Sequence, residues 1–298
     1  MKTFADKIND VKNANVDNDE KMKMLLTLGL VKSDCYALFN VWRKEGVTSS
    51  GLFSYKFKYT FGVEMETYNC RDIDFKAKAQ AHGIKAHGSQ LRSFYNHEDS
   101  KDSYKCVYDS SIDGVYALEC VSPILNEDGF ESLEKACQAL RESGAKVNKS
   151  CGLHVHIGAA HLTGEQYVNV FNNYKMLENV IDSFMAESRR GNNSRWCRSI
   201  KTIDFNNCNS VRDVLNKMDG RYYKVNPQSF SRHSTIEFRQ HQGSINFEKI
   251  QHWVRFCANL VEWSRTNKLE YQVDTIDEIK FITDEEKAWF KNRIQELR

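Results

Sequence analysis

Residues 151–159 read CGLHVHIGA, with His154 and His156 one residue apart. Side chains alternate faces along a strand, so the two imidazoles point one way and Leu153, Val155 and Ile157 the other. Imidazole binds metals and carries protons near neutral pH, so the pair marks a face built for chemistry as well as packing. Other stretches repeat the spacing. FGVEME offers Glu64 and Glu66, TIEFR offers Glu237 and Arg239, LECVSP offers Glu119, and VYDSS offers Asp109 and Ser111. If these segments are neighbouring strands, one sheet face holds several carboxylates, two imidazoles and a guanidinium.

Taken singly, each pair also reads as the solvated face of a half-exposed strand. Two features favour chemistry. Glutamate is a poor strand residue, and like charges directly opposite each other destabilise a sheet, so repeating that choice calls for a cation. Gly62, Gly152 and Gly158 flank the polar positions and let a ligand approach the backbone. The oxygen-rich set favours Mg²⁺, with Mn²⁺ possible. Cys151, close to His154 in sequence, keeps Zn²⁺ open. The chain has no G-x-x-x-x-G-K-[ST] and no G-x-G-x-x-G. A nucleotide bound here would therefore be gripped through metals and arginines rather than by a glycine-rich loop.

These residues need strands, and the strands need a layer behind them. YKFKYTFGVEME alternates almost perfectly from Tyr55 to Glu66 and predicts one long strand. Further strands are expected at SYKCVYDSSI, GVYALECVSP, CGLHVHIGA and STIEFRQH. Helical spacing marks FESLEKACQALRESG, then a longer helix opened by Thr163 and Gln166 as a capping box. Its core stripe is Tyr167, Val170, Phe171, Tyr174, Leu177, Ile181 and Phe184. FEKIQHWVRFCANLVEWS turns Ile250, Trp253, Val254, Cys257, Leu260 and Val261 inward, and a last helix opens with Thr283 and Glu286. The pattern predicts an α+β fold, its antiparallel or mixed sheet having one face on helices and one face free. Residues 1–50 read as an N-terminal helical region, with Ser33 as a cap, and residues 51–298 as one catalytic domain.

The net charge of +2 gives no overall pull toward nucleic acid or an anionic membrane. No apolar run approaches the ~20 residues of a membrane span, and the first residues lack the apolar stretch of a secretory signal. The nine cysteines are an odd number without a C-x-x-C pair, which predicts free thiols, no cysteine metal ligand and a cytoplasmic location. The loop SRRGNNSRWCRS gathers Arg189, Arg190, Arg195 and Arg198. It reads as a wet basic loop or as a loop binding phosphate or a carboxylate.

In order and spacing, FGVEME, VYDSSI, LECVSPIL, CGLHVHIG, RYYKVN and STIEFRQHQGS resemble the putative amidoligase family over about residues 55–250. That family belongs to the carboxylate–amine ligase superfamily, with glutamine synthetase and glutamate–cysteine ligase. The resemblance implies a curved, mostly antiparallel sheet of the glutamine synthetase catalytic type, with helices on the convex face and ATP and Mg²⁺ on the concave one. It implies that an acceptor carboxylate is joined through an acyl phosphate to an amine donor, either being an amino acid, a peptide or a protein. Glu64, His154 and Glu237 would then share one metal, and Glu66 and Glu119 would hold another. His156 would lie near the nucleotide, Arg239 would touch the transferred phosphate, and Arg221 and Asn226 would bind phosphate or substrate carboxylate. Ser110 and Ser244 stand where the family more often has glycine and threonine, and neither change removes a metal ligand. Relatives are frequent in bacteria and their viruses. Two other readings stay open: a metal-dependent hydrolase on the same Glu/His face, and a catalytically silent nucleotide or metabolite sensor. Oligomeric state is left open.

Overall fold

The computed structural model describes residues 2–14, 16, 18–32, 35, 38, 39, 42, 58–90 and 102–297. The chain forms two compact units, residues 1–56 with 282–286 and residues 57–281 with 287–298.

In the first unit, helices Phe4–Asn13 and Asn18–Thr27 contribute to a small core of Val11, Leu25, Cys35, Phe39 and Trp42. Thr3 and Asp6 cap the first helix reciprocally. Ser33, expected as a cap, lies outside the described residues.

The second unit is built on one open sheet. Its strands are β1 (Phe61–Thr67), β2 (Ala86–Ser89), β3 (Tyr104–Val107), β4 (Leu118–Val121), β5 (Gly152–Gly158), β6 (Val225–Asn226) and β7 (Thr235–Gln242). The order is β2-β3-β4-β1-β5-β7-β6, antiparallel at every junction except β2 with β3. The expected strand from Tyr55 begins only at Phe61, and residues 55–57 lie outside the described ones. Its partner β5 ends at Gly158, whose amide donates to the Thr60 carbonyl, so Lys58 and Tyr59 have no ladder to join on that side. Strand β2 was not expected, because AHGS is short and barely apolar. It is possible because Gly88, at φ +84°, passes so close to β3 that a Cβ would lie 2.4 Å from the Cys106 carbonyl oxygen.

The alternation read in β1, β5 and β7 is real in space. Val63, Met65, Leu153, Val155, Ile157, Ile236 and Phe238 are fully buried. Helix Phe247–Trp263 packs on β5, and all six of its expected inward residues are buried. In helix Gly164–Ser183 the expected stripe is buried as well, and Thr163 and Gln166 exchange hydrogen bonds of 3.1 and 3.2 Å. Helices Gly129–Glu142 and Asp284–Glu296 form where helical spacing placed them, with Thr283 and Glu286 exchanging the cap bonds. Helices Asp72–Ala81 and Val211–Lys217 were not foreseen. No helix among the described residues is long and apolar enough to cross a membrane. All nine cysteines are free thiols.

Candidate functional site

Strand register places the polar side chains. Glu64 on β1 pairs with His154 on β5, and Gly62 pairs with His156. His156 is in turn opposite Glu237 on β7, and Glu237 is opposite Asn226 on β6. One row across the sheet therefore reads Gly62, His156, Glu237, Asn226. On the other side of β1, Glu66 is directly opposite Glu119 on β4. Strand β7 carries an extra residue where it passes β5 between Leu153 and Val155. Such a bulge re-aims side chains. Here Gln240 and His241 both turn to the helix layer, against Tyr174 and Trp253, while Arg239 stays beside His154 at 3.5 Å.

The face expected to be free is nearly closed. Glu66, Glu119, His154, Glu237 and Arg239 are buried, and Glu64 is half-buried. Glu64, Glu66, His154, Glu237 and Arg239 are tied into a single network of hydrogen bonds and ion pairs. His154 Nδ1 lies 2.9 Å from Glu64 Oε2 and 3.7 Å from Glu237 Oε1, and its Nε2 lies 3.4 Å from Glu66 Oε1. His156 Nε2 lies 3.2 Å from Glu64 Oε1, and its Nδ1 is 3.0 Å from the Thr235 hydroxyl. Arg239 Nη1 and Asn226 Nδ2 donate to the two oxygens of Glu237 at 2.5 and 2.6 Å. The amide of Gly152 donates to Glu66 Oε2 at 2.6 Å.

Charge is distributed unevenly over these carboxylates. Burial alone would push Glu64 up, but the hydrogen bonds from His154 and His156 outweigh it and hold the carboxyl well below its ordinary value. Burial opposes ionisation of Glu237 as well, and Arg239 and His156 hold it down. Glu119 goes the other way. Burial first, then the charges of Glu64, Glu66 and Asp109, push it well above the ordinary range. For His156, burial is outweighed by the bond to Glu64 and the charge of Glu237, so its pKa is raised.

One ligand atom each from Glu64, His154 and Glu237 lies within 4.8 Å of the others, a geometry able to hold a metal ion. Glu66 lies 3.4 Å from the same histidine, and Glu119 joins through the β1–β4 pair. The donor chemistry fits a divalent cation: it is oxygen-rich, with one imidazole. Cys151 is not part of this group; it is buried beside Ile112 and Ala117, and burial pushes its thiol up.

The structure does not bring every expected residue into the cluster. Arg221 is exposed on the loop before β6, its guanidinium 5.2 Å over the Tyr222 ring. Asn226 is in place as a donor to Glu237. Most of the basic loop is tied down internally. Arg190 donates to the Met185 carbonyl, Arg195 lies over Trp196, and Arg198 pairs with Asp219 and covers Tyr223.

Two features escaped sequence reading. Lys105, Val121, Glu64 and His154 form one continuous row across β3, β4, β1 and β5, which puts a buried lysine on the acidic face. The alternation in SYKCVY could have signalled it. The second is Lys224, fully buried and paired with Glu178 at 2.8 Å and Asp182 at 2.6 Å. Asp182 also accepts from Gln240, and the Arg239 amide donates to the Lys224 carbonyl. This pair thus pins the strand pair behind Arg239 to helix Gly164–Ser183.

A family model described as a putative amidoligase enzyme matches residues 58–261, a span that holds every residue of this cluster. No curated protein matches the chain.

Proposed function

The chain belongs to the putative amidoligase family, and from that premise we propose that it is an ATP-dependent carboxylate–amine ligase working on a sheet of the glutamine synthetase catalytic type. The observation that carries this reading is the meeting of Glu64, His154 and Glu237 within 4.8 Å, with Arg239 bonded to the same Glu237. In this reading Glu64, His154 and Glu237 hold one Mg²⁺ or Mn²⁺, and Glu66 and Glu119 hold another. The raised pKa of Glu119 supports the second assignment, because repulsion that a proton relieves is also relieved by a cation. Bound there, the ions supply charge neutralisation at the phosphate oxygens of ATP.

The reaction would run in two displacements. An acceptor carboxylate oxygen attacks the γ-phosphorus, and ADP leaves with the electron pair of the broken P–O bond. The amine nitrogen of the donor then attacks the acyl carbon; phosphate departs with the C–O electron pair, and the amine gives up a proton. Arg239 is the residue we assign to the transferred phosphoryl. Its Nε is buried and has no hydrogen-bond partner among the described residues, which leaves a donor for an incoming anion. His156 and Asn226 would face the nucleotide, and exposed Arg221 would meet phosphate or substrate carboxylate from its loop. The acceptor and the donor are an amino acid, a peptide or a protein. The nine free thiols suit a reducing compartment, and we place the protein in the cytoplasm.

The test is a panel of amino acids and peptides with ATP and Mg²⁺, read by ADP release and product mass. A ligase releases ADP only when carboxylate and amine are both present, and the product has the mass of the condensed pair. Cleavage of a substrate without ATP makes the protein a hydrolase. Nucleotide binding without turnover of any pair makes it a sensor. Either result defeats the proposal.

A further inference from the structure

Arg189 is a buried cation, 3% exposed, that forms no ion pair among the described residues. A buried charge without a counter-charge is costly, so its hydrogen bonds show what compensates it. Nη2 donates to the Cys151 carbonyl at 2.6 Å and to the Ser150 carbonyl at 3.3 Å, and Nη1 has only a long contact of 3.9 Å to Cys197 Sγ. The Cys151 carbonyl also accepts from the Gly243 amide at 2.8 Å.

The carbonyl of Cys151 and the amide of Gly152 are the two ends of one peptide group. Arg189 and Gly243 load its oxygen, and its N–H donates to Glu66 Oε2 at 2.6 Å. Hydrogen bonds in series polarise one another, and a cation at the head of the series strengthens the bond at its tail. We propose that Arg189 is a positioning residue that acts on Glu66 through the Cys151–Gly152 peptide, fixing one carboxylate oxygen so that the other is presented to a divalent cation. The position of Gly152 fits this role. A Cβ there would lie 2.9 Å from His154 Nε2, close enough to displace that ring, and 3.4 Å from both terminal nitrogens of Arg189, so glycine lets the imidazole and the guanidinium both lie against this peptide. The other oxygen, Glu66 Oε1, is the one that lies 3.4 Å from His154 Nε2, on the side of the Glu64–His154–Glu237 group.

The inference rests on the reading that this face binds divalent cations, and it is independent of which substrates are joined. Partners that orient a metal-binding carboxylate are typically worth ~10–100-fold in metal affinity. The measurement is Mn²⁺ binding by electron paramagnetic resonance titration, with no nucleotide or substrate present, on the parent chain, Arg189→Gln, Arg189→Lys, Glu66→Gln and the Arg189→Gln/Glu66→Gln double variant. The expected result is that Arg189→Gln, which keeps a neutral donor, weakens Mn²⁺ binding ~10-fold or more. Arg189→Lys keeps the charge and holds most of the affinity. The double variant should bind no more weakly than Glu66→Gln, because the arginine acts only through that carboxylate. Unchanged Mn²⁺ binding in Arg189→Gln overturns the inference and leaves the metal site standing. So do additive losses in the double variant, or equal losses in the Lys and Gln variants. A parent chain that binds no Mn²⁺ overturns both.

Discussion

Glu66 and Glu119 stand directly opposite each other across the β1–β4 pair, and both are buried. Two facing carboxylates repel, and the pKa of Glu119 is pushed well above its ordinary 4.5 by burial and then by the charges of its acidic neighbours. Its pH linkage follows. Above 4.5 the folded chain holds a proton that the unfolded chain has lost, so this group makes stability fall as pH rises toward its folded pKa. His156, raised above 6.5, acts the same way: its contribution is complete below 6.5 and is lost as pH climbs through its folded value. Glu64 and Glu237 are held below 4.5 and work in the opposite sense, stabilising above that value and failing as pH falls through their folded values. The melting temperature of chelator-treated protein should therefore peak in mildly acidic buffer and decline through neutrality. Mn²⁺ should flatten the decline by taking the place of the proton. Glu119→Gln should also flatten it without metal and raise the neutral melting temperature by about 2–4 °C, the equivalent of about 1 kcal/mol. A metal-free melting temperature that climbs steadily through neutrality contradicts this charge distribution.

Glu64 is the shared partner of both histidines, at 2.9 Å from His154 and 3.2 Å from His156. Glu64→Gln keeps the shape and removes the charge both imidazoles lean on. If Glu64 is the metal ligand we propose, binding of Mn²⁺ should fall by ~100-fold or more, since its orientation of His154 is lost as well. Stability should fall by about 1–3 kcal/mol, the worth of a hydrogen bond to a charged group. Calorimetric titration and a denaturant melt read the two separately. A variant that unfolds readily yet still binds Mn²⁺ as the parent does would make Glu64 a structural residue.

How much of this was legible depends on what each feature needs. The faces of β1, β5 and β7 were legible because alternation is local: Val63, Leu153 and Phe238 are core, and Glu64, His154 and Glu237 meet on the opposite face. Register is not local. That Glu66 faces Glu119, and that Lys105 shares a row with Glu64, depends on which strands are neighbours and how they slide. The β7 bulge was equally hidden, so Gln240 and His241 turning to the same side had no sequence signature. Closure of the polar face was missed for a related reason. Alternation tells which side chains share a face, and not whether that face is open to water. Arg189 looked like one of four loop arginines; its burial separates it from Arg195, which is exposed.

Lys224 shows the cost of a hidden charge. It has no exposure at all, and Glu178 beside it has none either. Removing one member leaves the other buried and uncompensated, which costs about 3–5 kcal/mol. Lys224→Met should lower the melting temperature by on the order of 10 °C. It should also loosen the loop that Glu178 and Asp182 hold through the amides of Ile200 and Gly191. The companion Lys224→Met/Glu178→Gln should recover part of the loss, because it removes the stranded charge. Hydrogen exchange over residues 189–200 checks the loop, and a single variant as stable as the parent excludes the pair as an anchor.

Arg239 is the last residue to test and the one on which the ligase reading depends most. It donates to Glu237 at 2.5 Å, it lies 3.5 Å from His154, and its Nε has no partner among the described residues. The bond to Glu237 fixes the plane of the guanidinium. A planar fork held in this way keeps its remaining donors aimed, and the ligand such donors suit is a phosphate or a carboxylate. If that ligand is the transferring phosphoryl group, the interaction strengthens as charge accumulates on it, so its loss should appear in kcat more than in the binding of ATP. Phosphoryl-transfer arginines are worth ~10³-fold or more, and Arg239→Ala should lose activity on that scale. Arg239→Lys should lose most of it, because a point charge cannot both hold Glu237 and fork an anion. The comparison is steady-state kinetics on a substrate pair found in the panel, alongside nucleotide binding by calorimetry. If Arg239→Ala raises only the KM for the carboxylate and leaves kcat intact, Arg239 binds the acceptor substrate, and Arg221 becomes the residue to test against the phosphate. If turnover is unchanged in both variants, this sheet face does not carry out phosphoryl transfer.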